Sequence, residues 1–281
     1  MVKIITDTTS GLPDAIAQKY HIPVIPQVII FGNESFYEGT QMSNAMFMQR
    51  LVASRELPKT AAPPPELFVQ EFQRMLPDGE PILCIHPSAE VSGTVRSATV
   101  AAQDFPGADI RVIDTRTIGS PLATLVQLAA EWAAQGQDAD TIEARIREMI
   151  PRSRIYFLVA TLDFLARGGR IGGASALLGS VLQIKPILIF KNGVVNQFAR
   201  ERTFKHALVR LKELAIENVS RDGTGYLSVM HAGVPDQAQD LANDLKNMLS
   251  LSEELPILDL PPAIITHGGP GILAVAFFGN E

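Results

Sequence analysis

The chain has 281 residues, of which 46% are hydrophobic, only 6% aromatic and 19% charged, with a formal net charge of −6. Such a composition excludes an intrinsically disordered chain, which is poor in apolar residues and rich in net charge, and the acidic balance argues against nucleic acid as a partner. No run of about 18 uninterrupted apolar residues occurs, so no membrane-spanning helix or stable membrane insertion is expected, and Asp7 interrupts any apolar signal-peptide core at the start.

At roughly 150 residues per domain the length predicts two domains. The single cysteine, Cys84, allows no internal disulfide and fits a reducing, cytoplasmic location.

In chain order, a β-branched strand is predicted over 2–6, followed by the polar loop Asp7-Thr8-Thr9-Ser10-Gly11. Pro13 suits the first turn of a helix carrying Ile16, Ala17 and Tyr20. A second β-branched run covers 22–31. Ser43 is placed to cap a helix reaching Leu51, and Pro64-Pro65-Glu66 opens another bearing Leu67, Phe68, Phe72 and Met75. Buried strands are expected at 81–85 and 110–114, with a small-residue helix over 92–103 between them, then helices over 122–134 and 141–150. This alternation predicts a parallel sheet with helices on both faces.

The pattern restarts with a strand at 155–160. Four glycines surround Arg170 and Ile171 over 168–173, and strands 186–190 and 194–195 flank Asn192-Gly193, which suits a type I′ hairpin turn. Helices are predicted at 203–219 and 235–249, and strands at 225–230, 257–260, 263–266 and 273–278. The junction falls near 151–154, dividing the chain into an N-terminal α/β domain, 1–153, and a C-terminal α/β domain, 154–281.

The familiar chemistries fit poorly. The loop 168–173 misses the G-x-G-x-x-G spacing because Arg170 stands at the second glycine position, and no Walker A sequence exists. The five histidines, His21, His86, His206, His231 and His267, are scattered without metal-ligand spacing, so no metal is expected. No G-x-S-x-G elbow marks a serine hydrolase. Cys84, inside a strand, reads as a small buried apolar residue. The glycines of 168–173 read as a backbone requirement, and Arg167 and Arg170 as solvated or salt-bridged.

Three polar clusters in apolar surroundings remain: Lys59-Thr60-Ala61-Ala62-Pro63, Val91-Ser92-Gly93-Thr94, and His267-Gly268-Gly269-Pro270-Gly271. Ser92 at a helix start is either a simple N-cap or part of an anion site using helix amides. His267 reads either as a structural histidine or, beside glycines, as a ring that a ligand approaches closely.

With these clusters the sequence resembles the DegV family of bacterial fatty-acid-binding proteins, which includes the FakB proteins. The likeness spans essentially the whole chain. It rests on Ile5-Thr6-Asp7-Thr8-Thr9, Val91-Ser92-Gly93-Thr94, Val112-Ile113-Asp114-Thr115, Thr161-Leu162-Asp163-Phe164-Leu165 leading into Gly168-Gly169-Arg170-Ile171, Ile184-Lys185-Pro186-Ile187-Leu188, and the terminal His267 with Gly269-Pro270-Gly271. The resemblance implies two α/β domains with a long-chain fatty acid between them, its carboxylate held by Thr60, Ser92 and His267. In the FakB branch it further implies a carrier with no ATP site of its own and no cofactor. Such a carrier presents the lipid to a separate ATP-dependent fatty acid kinase for acyl-phosphate formation in phospholipid synthesis, with Arg202 at a position associated with kinase docking. The sequence departs from the family pattern at Thr60-Ala61-Ala62-Pro63, Ile85-His86-Pro87-Ser88 and His231-Ala232-Gly233. An alternative of another class is a hydrolase or transferase acting on a small acyl or phosphorylated substrate, with Ser92 as nucleophile and His267 as base.

Overall fold

A computed structural model of the chain describes residues 1–54, 56–178 and 184–280. Strand β1 (Lys3–Asp7) is the buried β-branched run expected near the start. The polar segment after it forms a single 3-10 turn, Thr8–Ser10, closed by the Asp7 side chain at one end and by Gly11 at φ 62° at the other. Helix α1 (Asp14–Lys19) begins just after Pro13. The run expected over 22–31 is not one strand. Pro23 and Pro26 bracket a two-residue strand β2 (Val24–Ile25), because Pro26 has no N–H to continue a ladder. The chain then departs as β3 (Val28–Phe31), which with β4 (Glu34–Tyr37) and β5 (Lys59–Ala61) forms a separate antiparallel sheet in the order β4-β3-β5. Helix α2 (Asn44–Ala53) lies in this excursion, capped by Ser43, whose Oγ accepts from the Met46 amide at 3.3 Å.

Helix α3 (Pro65–Met75), β6 (Ile82–His86), α4 (Thr94–Ala102), β7 (Ile110–Asp114), α5 (Ser120–Ala134) and α6 (Ala139–Met149) follow. Strands β2-β1-β6-β7 make a sheet whose pairs are all parallel. Inward residues of α5 and α6 pack one face around Leu83, Ile85 and Ile113. On the other face Phe68 and Phe72 of α3 and Ala98 of α4 cover Ile5, Ile82 and Cys84.

The second half continues with β8 (Ser153–Leu158), α7 (Asp163–Arg167), a 3-10 segment Gly172–Leu177, β9 (Lys185–Lys191), β10 (Val194–Glu201), α8 (Phe204–Asn218), β11 (Ser228–His231), α9 (Pro235–Leu249), β12 (Ile257–Asp259), α10 (Pro262–Gly268) and β13 (Leu273–Phe278). Its sheet, β10-β9-β8-β13-β11-β12, is antiparallel except for the β11–β12 pair. The β9–β10 hairpin turns at Asn192 and Gly193, φ 56° and 88°, as a type I′ turn requires. The strand expected over 263–266 is instead helix α10. Its aliphatic run resembles a strand, but Pro262 occupies the first helical turn with φ preset for it, and the Thr266 hydroxyl donates back to the Pro262 carbonyl at 2.9 Å. The strand expected over 225–230 begins only at Ser228.

Helices α8 and α9 cover one face of this sheet. The other face packs against the β3 excursion, α2, α7 and α10, so its apolar cluster combines Ile29, Phe31 and Phe47 with Phe157, Leu188 and Ala274. A second link is Phe278, at the end of β13, which is fully buried in the core beneath α5 and α6. Phe278→Ala is expected to destabilise the protein by about 3–5 kcal/mol, the usual cost of truncating a buried Phe; the check is the midpoint of urea unfolding at unchanged m.

Candidate functional site

In an open parallel sheet the turns beyond the C-terminal strand ends leave a crevice with unpaired backbone amides, the habitual place for a ligand. Here the turns after β1, β6 and β7 bring Thr9, Ser92, Ile118 and Gly119 to such a crevice. The second sheet closes it from the opposite side. Val195, Phe190 and Ile155 lie in register across β10, β9 and β8, and Phe157, Ala274 and Met230 across β8, β13 and β11, giving an apolar floor five strands wide. Helix α10 supplies a wall through Ala263, Ile264 and His267, and β5 contributes Thr60. About 840 Å³ of space free of protein atoms, open solvent at the mouth included, lies between these residues.

Thr60, Ser92 and His267, far apart in sequence, all line this one cavity. Thr60 Oγ1 lies 2.7 Å from His267 Nε2. The imidazole stands in the last turn of α10 and is mostly buried; a Cβ on Gly168 would lie only 2.5 Å from its Nδ1, so the ring seats directly on a glycine backbone. Nδ1 itself is buried without a hydrogen-bond partner. Burial, and secondarily the positive charge of Arg170, depress the His267 pKa to about 4. The ring is therefore neutral at pH 7, with one N–H donor and one acceptor nitrogen in place of the two donors of imidazolium.

Ser92 is not the N-cap of α4. Gly93 holds that position without a side-chain bond. The Ser92 hydroxyl instead accepts from the Thr94 amide at 3.3 Å and shares a hydrogen bond with Thr94 Oγ1 at 2.8 Å. Ser92 and His267 are thus each bonded elsewhere, Ser92 to Thr94 and His267 to Thr60, and make no nucleophile–base pair with one another. Cys84 is fully buried, which pushes its thiol pKa far up and leaves it inert.

Arg170 departs from expectation. It is half-buried at the cavity, its Nη1 donating to the Gly168 carbonyl at 2.7 Å and its Nε to the Val91 carbonyl at 3.2 Å. The glycines do serve the backbone: a Cβ on Gly172 or Gly173 would lie 2.3 Å from Val195 O or Asn196 Oδ1. That close approach lays the loop on β10 and carries Arg170 inward. Gln27, invisible in the sequence as a site residue because it sits within an apparent strand, also lines the cavity and is 3% exposed. Arg202 lies outside the cavity lining, exposed between β10 and α8 and flanked in sequence by the exposed Phe198 and Phe204. Among the described residues no group of three or more His, Cys, Asp or Glu is placed to hold a metal.

The DegV family model, described as "Uncharacterised protein, DegV family", matches residues 1–280. The chain belongs to the DegV family. A DegV domain-containing protein of Streptomyces coelicolor is 35% identical over 275 residues, covering 98% of this chain and 97% of the relative. One from Halalkalibacterium halodurans is 34% identical over 278 residues, covering 99% and 98%. Among solved structures, a fatty acid binding DegV family protein from Streptococcus agalactiae superposes with a TM-score of 0.90 at 29% identity, covering 100% of this chain and 99% of the other. DegV from Bacillus subtilis, described as a fatty acid binding protein, gives 0.86 at 28% identity, with 99% of each chain covered. The DegV fold thus accounts for the whole architecture, including its two α/β halves. At one departure from the DegV pattern, His86 Nδ1 lies 2.8 Å from Asp7 Oδ2 with both side chains fully buried.

Two groups at opposite ends of α10 titrate with opposite sign. Glu38, 2% exposed, accepts from the Ala263 amide at 2.7 Å and from the Thr8 hydroxyl, and burial raises its pKa to about 7. Native Glu38 keeps a proton that the unfolded chain releases near 4.5, so its contribution to stability is lost as pH rises from about 4.5 to about 7. Native His267 refuses a proton that the unfolded chain takes near 6.5, so its contribution is lost as pH falls from about 6.5 to about 4. Relative to wild type, Glu38→Gln is expected to remove the first slope and His267→Gln the second, read from denaturant midpoints between pH 4.5 and 8. The His267 Cε1 proton should titrate by NMR near pH 4.

Proposed function

We propose that this chain is a carrier that holds one long-chain fatty acid between its two halves, with the carboxylate at Thr60, Ser92 and His267. The observation that carries the reading is the convergence of these three polar side chains at a predominantly apolar cavity. Fatty-acid binding by the Streptococcus agalactiae and Bacillus subtilis relatives supports it. So does the length of the floor: five strands give four spacings, ~19 Å in all. An extended hydrocarbon advances about 1.25 Å per carbon–carbon bond, so ~19 Å suits roughly 15 bonds. Burying ~14 methylenes at ~0.8 kcal/mol each supplies ~11 kcal/mol before association costs. The acyl chain therefore dominates affinity, and the polar cluster sets which end faces the mouth. Neutral His267, protonated at Nε2, donates to Thr60 Oγ1 and so leaves the Thr60 hydroxyl proton for the head group, and Arg170 beside them adds positive charge.

The chain acts as carrier, not catalyst, in this reading. The bound carboxylate is presented to a separate ATP-dependent fatty acid kinase, which forms an acyl-phosphate destined for phospholipid synthesis. Arg202, exposed next to Phe204, is the docking residue; a basic group flanked by exposed aromatics is a common composition for a protein-contacting surface.

Organic extraction of natively purified protein followed by mass spectrometry should yield one fatty acid per chain. Lipid-free protein that takes up no fatty acid, or a covalent serine adduct with a fluorophosphonate probe, would overturn the carrier reading. His267→Ala is expected to lower phosphorylation of bound lipid by about tenfold, the scale of one lost hydrogen bond to a charged group, while lipid retention changes less. Equal loss of both would contradict the division between chain and head group. Arg202→Ala should leave lipid binding intact and weaken transfer to the kinase; unchanged transfer kinetics would reject the docking assignment.

A further inference from the structure

A chain of buried hydrogen bonds runs from the end of β1 to Ser92. Asp7, fully buried, is surrounded by donors. Its Oδ1 accepts from the Thr9 amide at 3.0 Å, the Thr9 hydroxyl at 2.6 Å and Gln27 Nε2 at 3.0 Å, and its Oδ2 lies 2.8 Å from His86 Nδ1. An acceptor-only carboxylate fixes the Gln27 amide with its NH₂ inward, because the amide oxygen in that place would meet a carboxylate oxygen. The second N–H of the same group then donates to Thr94 Oγ1 at 2.8 Å. Thr94 is fully buried, and among the described residues no acceptor other than Ser92 Oγ, at 2.8 Å, lies within reach of its hydroxyl proton. Thr94 therefore donates to Ser92. The Ser92 proton is left for the cavity that Ser92 lines.

We propose that Gln27 is a positioning residue: held by Asp7, it sets the direction of the Thr94–Ser92 hydroxyl chain so that Ser92 presents a donor to the cavity and the head-group site favours an anionic acceptor over a neutral hydroxyl. This rests on the fatty-acid reading above and adds its selectivity. Aligned hydrogen bonds polarise one another, so the terminal O–H is a stronger donor than an isolated serine. A carboxylate gains from that more than an alcohol does.

The test compares the affinities of hexadecanoic acid and hexadecan-1-ol for the full chain and for Gln27→Met, Thr94→Val and Thr94→Ser. In Gln27→Met and Thr94→Val the preference for the acid should fall by about tenfold, the scale of one charge-assisted hydrogen bond, with alcohol affinity changing less than about twofold. The double variant should lose no more than either single one, since both break the same relay. Thr94→Ser, which keeps the hydroxyl, should retain the preference and serves as the folding control. Independently, the ¹³C-carboxyl titration midpoint of bound [1-¹³C]hexadecanoic acid should rise by about one pH unit in Gln27→Met, because lost donors disfavour the anion; a purely structural defect would not move it. Acid and alcohol affinities falling in parallel, or an unchanged ratio and midpoint, would overturn the relay while leaving the carrier reading intact. Wild-type protein that binds neither ligand would overturn both.

Discussion

Placing a carboxylate where no water reaches it is expensive unless donors surround it. Asp7 meets that demand with a backbone amide, a hydroxyl, an amide side chain and an imidazole drawn from three separate segments. The turn after β1, the start of the β3 excursion and the end of β6 are thereby fixed against one another. Those segments carry Thr9 and Gln27 and lead into Ser92, so one wall of the cavity depends on satisfying this one side chain.

The opposite wall is governed by apolar area. One face of the second sheet is covered by the long helices α8 and α9. The other has only the short α7 and α10 from its own half, and the excursion between β2 and α3 covers the rest. The cover is incomplete over the floor from Val195 to Met230, and the space left there is the cavity. Helix α10 is held at its first turn by Glu38 from the excursion and delivers His267 at its last, so packing of the two halves and placement of the imidazole are one arrangement.

Much of this was legible in the sequence where the signal is local. Ser43 caps its helix through its own side chain, Asn192-Gly193 makes its turn, and the helical periodicity over 235–249 and the continuous apolar run over 273–278 are overridden by no neighbour. Residues 263–266 misled because a short aliphatic run satisfies strand and helix alike, and only the two prolines before it hinted at the outcome. The run over 22–31 misled because a proline breaks a ladder without changing hydrophobic pattern. At the site, the clusters around Thr60, Ser92 and His267 stood out as polar residues in apolar surroundings. Arg170 and Gln27 did not, since nothing local distinguishes a cavity-facing arginine or glutamine from a solvated one.

By itself the sequence determined the aliphatic core, the parallel sheet of the first half, most helix ends and the three polar clusters, because these follow from periodicity and from side chains bonding within a few residues. Tertiary structure alone decided that the second sheet is largely antiparallel, that Thr60 meets His267 across 207 positions, and that His267 is neutral. A strand's partner, a ring's solvation and a hydroxyl's direction are properties of what lies across a gap, and the residues across it are remote in the chain.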